Sequence, residues 1–373
     1  MSLKQTIYHN LLNISGWRTK RHIVVIESDD WGSIRMPSKE VYEQLLKAGI
    51  RVDKCHYCSN DSVASEADLS LLFDVLNQHK DINGNPTVIT ANAVVTNPDF
   101  DKIRENDFEN YYFKKITEGL PEIRGCEHAL DLWKEGSKNG CFRIQSHGRE
   151  HLNVSRWMHY LKENYPETRL AFDLGVYGLS TTITSEKRKS FLPAFDFENE
   201  EEEQQVNKIA TDGLTIFEEI FGYKSNSFIA PNYTWGRSLE QTIASCGVKN
   251  IQGQQRGKYR NAKGENNKIR QRYMGKKNEV GQIDLCRNAI FEPSEAPQRD
   301  WVDACMKDIA IAFRWHHPVI ICSHRVNYVG TINVENRDRN LKLLDTLLKE
   351  IKKRWPDVEF MSSDQLGDLI LAQ

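Results

Sequence analysis

The sequence predicts an α/β fold, specifically a (β/α) barrel that is distorted or incomplete and has about seven strands. The first observation is a regular alternation of short apolar segments with longer helical ones, which is typical of a parallel sheet covered by helices. The second is that runs such as Ile23-Val24-Val25-Ile26 and Val319-Ile320-Ile321 are apolar throughout. Strands with no polar face are typical of a sheet buried on both sides.

Seven or eight strand–helix units follow one another along the 373 residues. Apolar runs rich in β-branched residues predict strands over 22–27, 87–95, 141–146, 226–230, 248–252, 283–290, 318–323 and 358–361. Amphipathic segments between them predict helices over 38–48, 66–79, 152–164, 200–221, 237–246, 299–315, 334–354 and 363–371.

Two segments interrupt this rhythm. The acidic run 198–203 is interpreted as the first turn of the helix after it, where the helix dipole favours negative charge. Segment 254–278 carries nine basic residues and one acidic residue, Glu265, and is predicted to be a long loop or hairpin inserted between strands. It is either a solvated loop or a basic collar that attracts an anionic substrate. With no internal repeat, we expect a single domain over 1–373 with this insertion.

Composition excludes several classes of partner. Lys+Arg number 50 and Asp+Glu 52, so no nucleic-acid partner is expected. Residues 1–21 contain no apolar leader segment, and no run of about 18 apolar residues occurs, so we expect a cytoplasmic protein without membrane insertion. The eight cysteines are then expected to be free thiols. The lone pair Cys55-His56-Tyr57-Cys58 is a weak metal signal.

Three predicted strands end in residues that can bind one metal ion. They are followed by Ser28-Asp29-Asp30-Trp31-Gly32, by Ser146-His147-Gly148-Arg149-Glu150-His151, and by Cys322-Ser323-His324. In a (β/α) barrel the carboxyl ends of the strands share one active site. Two imidazoles four residues apart face the same point if a helical turn connects them. With one carboxylate they supply three ligands and leave a fourth position open, as in catalytic zinc sites.

These motifs resemble those of the polysaccharide deacetylase family, carbohydrate esterase family 4. The family motif T-F-D-D-G is matched by residues 27–32, with Trp31 inserted before the glycine. The motif H-[ST]-x-x-H is matched by residues 147–151, with Gly148 in place of the hydroxyl residue. The motif R-x-P-[YF] keeps Pro231 but lacks its arginine, and L-x-H is matched at residues 321–324. The resemblance covers residues 22 to 365 in motif order and marks a divergent member.

The resemblance implies a role for each matched residue. It implies that Asp30, His147 and His151 bind a divalent metal. It implies that Asp29 is the general base and His324 the general acid. The backbone near Asn232 or Tyr233 would hold the oxyanion. Zinc is the expected metal, with cobalt, nickel and iron as alternatives, since a His₂-carboxylate set suits all four.

The missing motif arginine would have paired with the catalytic aspartate. We expect another cation to contact Asp29, and the candidates are Arg149, Arg287 and Arg325. Trp31 and Trp235 are candidates for stacking on sugar rings, with burial in the core as the alternative. Asn92 and Arg325 follow strand ends and are candidate substrate contacts, with local turn contacts as the alternative.

The function expected from this resemblance is a metal-dependent hydrolase that removes acetyl groups from an N- or O-acetylated sugar or polysaccharide precursor. The substrate is an acetylated carbohydrate, anionic if the basic segment takes part. Two alternatives stay open: a non-catalytic carbohydrate-binding protein on a degenerate deacetylase scaffold, and another metallohydrolase on the same fold.

Overall fold

The computed structural model describes residues 3–260 and 266–373. Its strands are β1 Ile23–Trp31, β2 Ile89–Ala93, β3 Thr96–Pro98, β4 Phe113–Lys115, β5 Phe142–Ser146, β6 Ser227–Phe228, β7 Thr234–Gly236, β8 Asn250–Gly253, β9 Arg256–Arg260, β10 Asn266–Gln271, β11 Ile283–Cys286, β12 Ala289–Ile290, β13 Val319–His324 and β14 Glu359–Phe360. Its helices are α1 Leu3–Leu12, α2 Lys39–Lys47, α3 His56–Asn60, α4 Glu66–Gln78, α5 Phe100–Glu105, α6 Ile116–Gly119, α7 Ala129–Lys138, α8 Val154–Lys162, α9 Pro166–Asp173, α10 Glu200–Phe221, α11 Arg237–Ser245, α12 Trp301–Arg314, α13 Val334–Arg354 and α14 Ser363–Leu371.

The main sheet is parallel and curled, in the order β11-β8-β6-β5-β2-β1-β13-β12, with β14 pairing at the start of β1. Its first and last strands, β11 and β12, are separated in the chain only by Arg287 and Asn288. The Arg287 amide donates to Gly253 O (2.9 Å) and the Asn288 amide to Ile320 O (3.1 Å). The β11–β12 stretch therefore pairs first with β8 and then with β13. This closes the sheet into a distorted barrel with seven strand positions, which confirms the predicted fold class.

Alternate residues of β1 face two different cores. Val24 and Ile26 belong to the large cluster under the outer helices, whereas Ile23 and Val25 pack inward with Leu366 of α14. This is the period-two alternation of a strand that is buried on both faces. The inward cluster under α14 fills one end of the barrel and leaves the carboxyl ends of the strands available for a site.

Most predicted elements recur with shifts of a few residues, and the predicted bounds of α10, α13 and α14 agree with the structure. The acidic run begins α10, capped by Asn199, whose side chain accepts from the Glu202 amide. The segment predicted as one strand over 87–95 ends as β2 at Ala93. Six helices were missed: α1, α3, α5, α6, α7 and α9.

The basic segment forms an antiparallel pair, β9 with β10, and β9 also pairs with β7. The hairpin alternative is thus the one found, with residues 261–265 outside the described part. In the described ranges, no helix combines the length and apolar content needed to cross a bilayer. The single domain over 1–373 stays a prediction.

Candidate active site

A cavity of about 530 Å³ opens at the carboxyl ends of the barrel strands. It is lined by residues in or just after the carboxyl-terminal parts of β1, β5, β12 and β13, together with residues of α3 and of the turn that starts at Pro231. All three motifs contribute side chains to this one cavity, which is the arrangement expected of a (β/α) barrel.

Asp29 and Asp30 both face the cavity because β1 is irregular at this point. Successive residues of a regular strand point to opposite faces, so two adjacent aspartates would normally diverge. Here the pairing of β1 with β2 shifts register between Ser28 and Trp31, and Asp30 has φ of +73°. A non-glycine residue at such a φ is strained, and the surrounding sheet holds it there. The bulge turns both carboxylates toward the same space.

Asp30, His147 and His151 come together in a group suited to one metal ion. Asp30 Oδ1 lies 3.5 Å from His147 Nε2 and 3.3 Å from His151 Nε2. Ligand atoms of a tetrahedral zinc lie roughly 3.3–3.6 Å apart, given its bond lengths. His147 Nδ1 bonds to Ile229 O (2.9 Å), which directs Nε2 inward. Among the described residues, this buried Nε2 has no hydrogen-bond partner, which fits a ligand position.

The two histidines do not share a helical turn, which corrects the expectation from their spacing. Residues 147–153 form an irregular turn, and α8 begins only at Val154. Gly148 takes φ of +97°, and a Cβ there would lie 3.1 Å from the Phe195 ring. Glycine therefore allows the tight turn that brings the two imidazole centroids to 5.1 Å.

Protonation states within this group suit metal binding. Burial lowers the pKa of His151 to about 3, so its imidazole is neutral near pH 7. Burial alone would raise the pKa of Asp30, but the two histidines and Arg35 hold it well below its usual value. Arg35 Nη1 lies 3.4 Å from Asp30 Oδ2. Metal ligands must be neutral imidazoles and ionised carboxylates, and His151 and Asp30 are in these states near pH 7.

Arg287 is the cation that contacts Asp29. Its Nη1 donates to Asp29 Oδ2 (2.8 Å) and its Nη2 to Oδ1 (2.7 Å), while Nε donates to Glu27 Oε2 (2.6 Å). Burial alone would raise the pKa of Asp29, but the charge and hydrogen bonds of Arg287 lower it to about 2. The carboxylate is therefore ionised across the physiological range.

The chain supplies Arg287 from the junction between β11 and β12, where the barrel closes. Glu27 and Asp29 are two residues apart on β1, so both point inward to meet it. The Tyr233 hydroxyl also accepts from Arg287 Nη1 at 2.8 Å. An arginine from the β11–β12 junction thus contacts the aspartate that the absent motif arginine would have paired with.

His324 faces Asp29 and Glu292. The β1–β13 register pairs Asp29 with His324, and His324 Nε2 lies 3.7 Å from Asp29 Oδ2. His324 Nδ1 bonds to Glu292 Oε1. Burial would lower the pKa of His324, but Glu292 and Asp29 raise it well above its ordinary value. The imidazole is therefore protonated near pH 7 and able to donate.

Asn92 contacts Asp29 and does not lie free in the cavity. Its Nδ2 donates to Asp29 Oδ1 (2.8 Å) and to Gln252 Oε1 (2.7 Å), which holds the carboxylate in place. Asn232 and Tyr233 line the cavity in left-handed conformations, with φ of +55° and +53°. The Tyr233 amide donates to Ala230 O, so the Asn232 backbone remains the oxyanion candidate.

Four of the candidate residues lie elsewhere. Trp31 is fully buried against Trp133 and Phe142, and Trp235 is 2% exposed and donates to Glu240, so neither is positioned to stack on a sugar. Arg149 pairs with Glu150, and Arg325 pairs with Asp61 beneath the surface. These two arginines neutralise buried carboxylates, since an unpaired buried charge is costly.

Where its side chains are described, the basic segment does not form the collar that was one of its two interpretations. Arg272 is buried and pairs with Asp284 at 2.9 Å. Lys276 and Lys277 line a separate surface depression with Arg237. Among the described side chains, the arginine and lysine residues that line the main cavity are instead Arg35 and Lys54.

Several cavity residues were missed by reasoning from the sequence. Tyr57 lines the cavity with its ring 5.6 Å from that of His324, and the Arg35 guanidinium lies 4.6 Å above the Tyr57 ring. Only the C-x-x-C spacing drew attention to this segment. Glu292 follows the predicted strand 283–290, so the rule that polar residues after strands face the site could have found it. Nothing in the local pattern singles out Arg35.

Comparisons with known proteins support the fold at a large sequence distance. No protein-family model matches the sequence, and no curated protein is significantly similar to it. A candidate glycoside hydrolase/deacetylase from Parabacteroides distasonis has a similar structure, with a TM-score of 0.50, 10% identity, and coverage of 97% of this chain and 73% of that chain. A candidate polysaccharide deacetylase from Pseudomonas aeruginosa PAO1 (0.47, 9%, 94% and 91%) and the Puue allantoinase (0.46, 11%, 96% and 93%) also align. The similarity to the candidate glycoside hydrolase/deacetylase thus supports a shared fold.

Proposed function

We propose that this protein is a metal-dependent hydrolase that removes acetyl groups from an N- or O-acetylated sugar or polysaccharide precursor. The observation that carries the proposal is the position of Asp29. Arg287 keeps Asp29 ionised. Asp29 lies between the protonated His324 and the group formed by Asp30, His147 and His151. The fold similarity to a candidate glycoside hydrolase/deacetylase supports the same class of reaction.

Asp30, His147 and His151 are the proposed metal ligands, with zinc as the expected ion and cobalt, nickel or iron as alternatives. A divalent ion at this position would lower the pKa of a bound water and polarise the acyl oxygen of the substrate. The inward Nε2 of His147 and the neutral state of His151 fit this role. Arg35 balances the charge of Asp30 from the opposite side.

Asp29 is the proposed general base. Three donated hydrogen bonds fix its carboxylate, two from Arg287 and one from Asn92, so its orientation toward the cavity does not depend on substrate. A carboxylate in this position accepts the proton of the attacking water. Its low pKa makes it a weak base, which suits a water that is itself acidified.

His324 is the proposed general acid. Glu292 bonds to Nδ1, which leaves Nε2 directed toward Asp29 and the cavity. The imidazolium donates its Nε2 proton to the leaving nitrogen or oxygen as the acyl bond breaks. Base and acid thus lie on adjacent strands at the same register position.

The substrate contacts proposed here are Tyr57 and the Asn232 backbone. A cavity of about 530 Å³ lies within the usual range for small-ligand sites. Tyr57 offers the aromatic surface that Trp31 and Trp235 do not, and Asn232 replaces Tyr233 as the oxyanion donor. The cytoplasmic location and an anionic substrate stay predictions from the sequence.

The alternative of a non-catalytic carbohydrate-binding protein depended on the missing motif arginine. The contact between Arg287 and Asp29 removes that ground, because the aspartate keeps a cationic partner. Retention of both Asp29 and His324 in the cavity also favours catalysis.

Acetate release tests the proposal directly. Metal-free protein, and protein reloaded with zinc, cobalt, nickel or iron, would be incubated with a panel of N- and O-acetylated mono- and oligosaccharides. We expect acetate only from reloaded protein, with release by the Asp29→Asn variant lowered about 10²–10⁴-fold at equal metal content. Sugar binding without acetate release by any loaded form would instead identify a carbohydrate-binding protein.

A further inference from the structure

A second group of potential metal ligands lies in the same cavity, beside the proposed acid. Glu292, Cys322 and His324 each offer one ligand atom, and these atoms lie within 4.8 Å of one another. We propose that Glu292, Cys322 and His324 form a second site for a borderline divalent transition metal such as zinc or cobalt.

Strand register brings these three residues together. Cys322 and His324 are two residues apart on β13, so their side chains leave the same face of the strand. Ile290 pairs with Cys322, and the Phe291 amide donates to Cys322 O at 2.9 Å, which places the following Glu292 beside them. The cluster is thus built by regular pairing of β12 with β13.

The donor set selects the kind of metal. A thiolate and an imidazole favour zinc, cobalt and similar ions, whereas magnesium and calcium prefer oxygen ligands. The carboxylate completes three protein ligands, and the cavity side leaves room for a fourth ligand. His324 Nδ1 and Glu292 Oε1 are in direct hydrogen-bond contact, so binding through these two atoms requires them to move apart and admit the ion.

Arg287 also contacts the sulfur. Its Nη1 donates to Cys322 Sγ at 3.2 Å, and a donor to sulfur is a common outer contact of thiolate ligands. Metal binding releases two protons to water, one from the Cys322 thiol and one shared by Glu292 and His324. Three bonds to the metal form in their place: one from the Cys322 sulfur, one from a His324 nitrogen and one from a Glu292 oxygen. No oxidant or reductant is involved.

Occupation of this site would remove the proposed acid. A metal bound to His324 takes the imidazole out of proton donation, so excess metal would inhibit turnover. This consequence rests on the proposed function, whereas the site itself does not.

Cobalt absorption tests the second site without a substrate. Of the two groups only this one contains sulfur, so a thiolate-to-cobalt charge-transfer band in the near ultraviolet reports it alone. Metal-free protein would be titrated with Co²⁺ under reducing, oxygen-free conditions, with bound cobalt measured per chain. We expect the band in the parent protein, and its loss in Cys322→Ser and Cys322→Ala with one cobalt fewer per chain. The visible bands of the first site should remain.

Cys55→Ser is the matched control, because Cys55 is another thiol that lines the cavity. It should keep the band. The proposal is overturned if the parent shows no band at excess cobalt, or if the band survives in both Cys322 variants. A Cys322-dependent band in a protein that releases no acetate would reject the proposed function and keep the site. Acetate release without the band would reject the second site and keep the proposed function.

Discussion

Arg287 contacts both carboxylate oxygens of Asp29, at 2.8 and 2.7 Å, although 258 residues separate them in the chain. This two-point contact takes the place of the pairing that the absent motif arginine would have made. It depends on the closure of the barrel, because Arg287 lies where the β11–β12 stretch changes its pairing partner from β8 to β13.

Replacing Arg287 by lysine should lower kcat while metal content stays unchanged. A lysine ammonium cannot reproduce a planar two-point contact with a carboxylate, so Asp29 would lose its orientation. We expect a loss on the order of a hundredfold, the size associated with mispositioning a reacting group. The matched control is Arg272→Lys, which disturbs an equally buried pair with Asp284 outside the cavity. Similar kcat losses in both variants would argue against a specific role for Arg287.

Replacing Asp29 by asparagine should separate chemistry from metal binding. The ligand group is untouched, so metal content should match that of the parent, while turnover should fall by about 10²–10⁴-fold through loss of the base. Elemental analysis and acetate release on the same samples measure both. Full activity in Asp29→Asn would show that another group accepts the proton.

The proposed imidazole ligands can be checked against a neighbouring histidine. His147→Ala and His151→Ala should each lose most of the bound metal after dialysis, since each removes one of three ligands. His56 lines the same cavity but lies outside the group, so His56→Ala should keep its metal. Equal metal loss in all three would indicate general disruption of the cavity.

Glu292→Gln should change the alkaline limb of the pH profile. Glu292 raises the pKa of His324, so the acid form of His324 persists to higher pH in the parent. Removing the negative charge lowers that pKa, and activity should be lost at lower pH than in the parent. Glu295→Gln is the control, because Glu295 is exposed at the cavity edge. A profile that is unchanged in Glu292→Gln would exclude His324 as the titrating acid.

Replacing Tyr57 is expected to weaken substrate binding, whereas replacing a buried tryptophan is not. Tyr57→Leu should raise KM by roughly two- to tenfold, as expected for loss of one aromatic contact of 0.5–1.5 kcal/mol. Tyr57→Phe should restore most of the affinity. Trp235→Phe should leave KM unchanged, because Trp235 is buried in the core. A KM effect confined to Trp235→Phe would reverse this assignment.

The sequence predicts the barrel because its apolar runs and amphipathic helices are local patterns. Helices α10, α13 and α14 are found at their predicted bounds because their caps and apolar faces are encoded within each segment. Short helices such as α3 and α6 were not predicted, because four or five residues are too few to show a repeating amphipathic pattern. The 283–290 segment changes its pairing partner from β8 to β13. This change depends on strands that are distant in the sequence, so no local sequence pattern predicts it.

The site was only partly predictable for the same reason. Motif spacing brings Asp29, Asp30, His147, His151 and His324 to strand ends, and the structure places all five in one cavity. The bulge at Asp30 and the choice of Arg287 over Arg149 or Arg325 arise from packing between distant strands. Tryptophans next to a motif gave a misleading signal, because Trp31 points to the other face of β1 and into the core.

The most direct test of the central claim is anomalous diffraction at the zinc edge from crystals of zinc-reloaded protein. We predict a peak bonded to Asp30, His147 and His151 at about 2.0–2.2 Å, with Asp29 still held by Arg287. Reloaded crystals without a peak among these three side chains, or with Asp29 turned away from Arg287, would contradict the account.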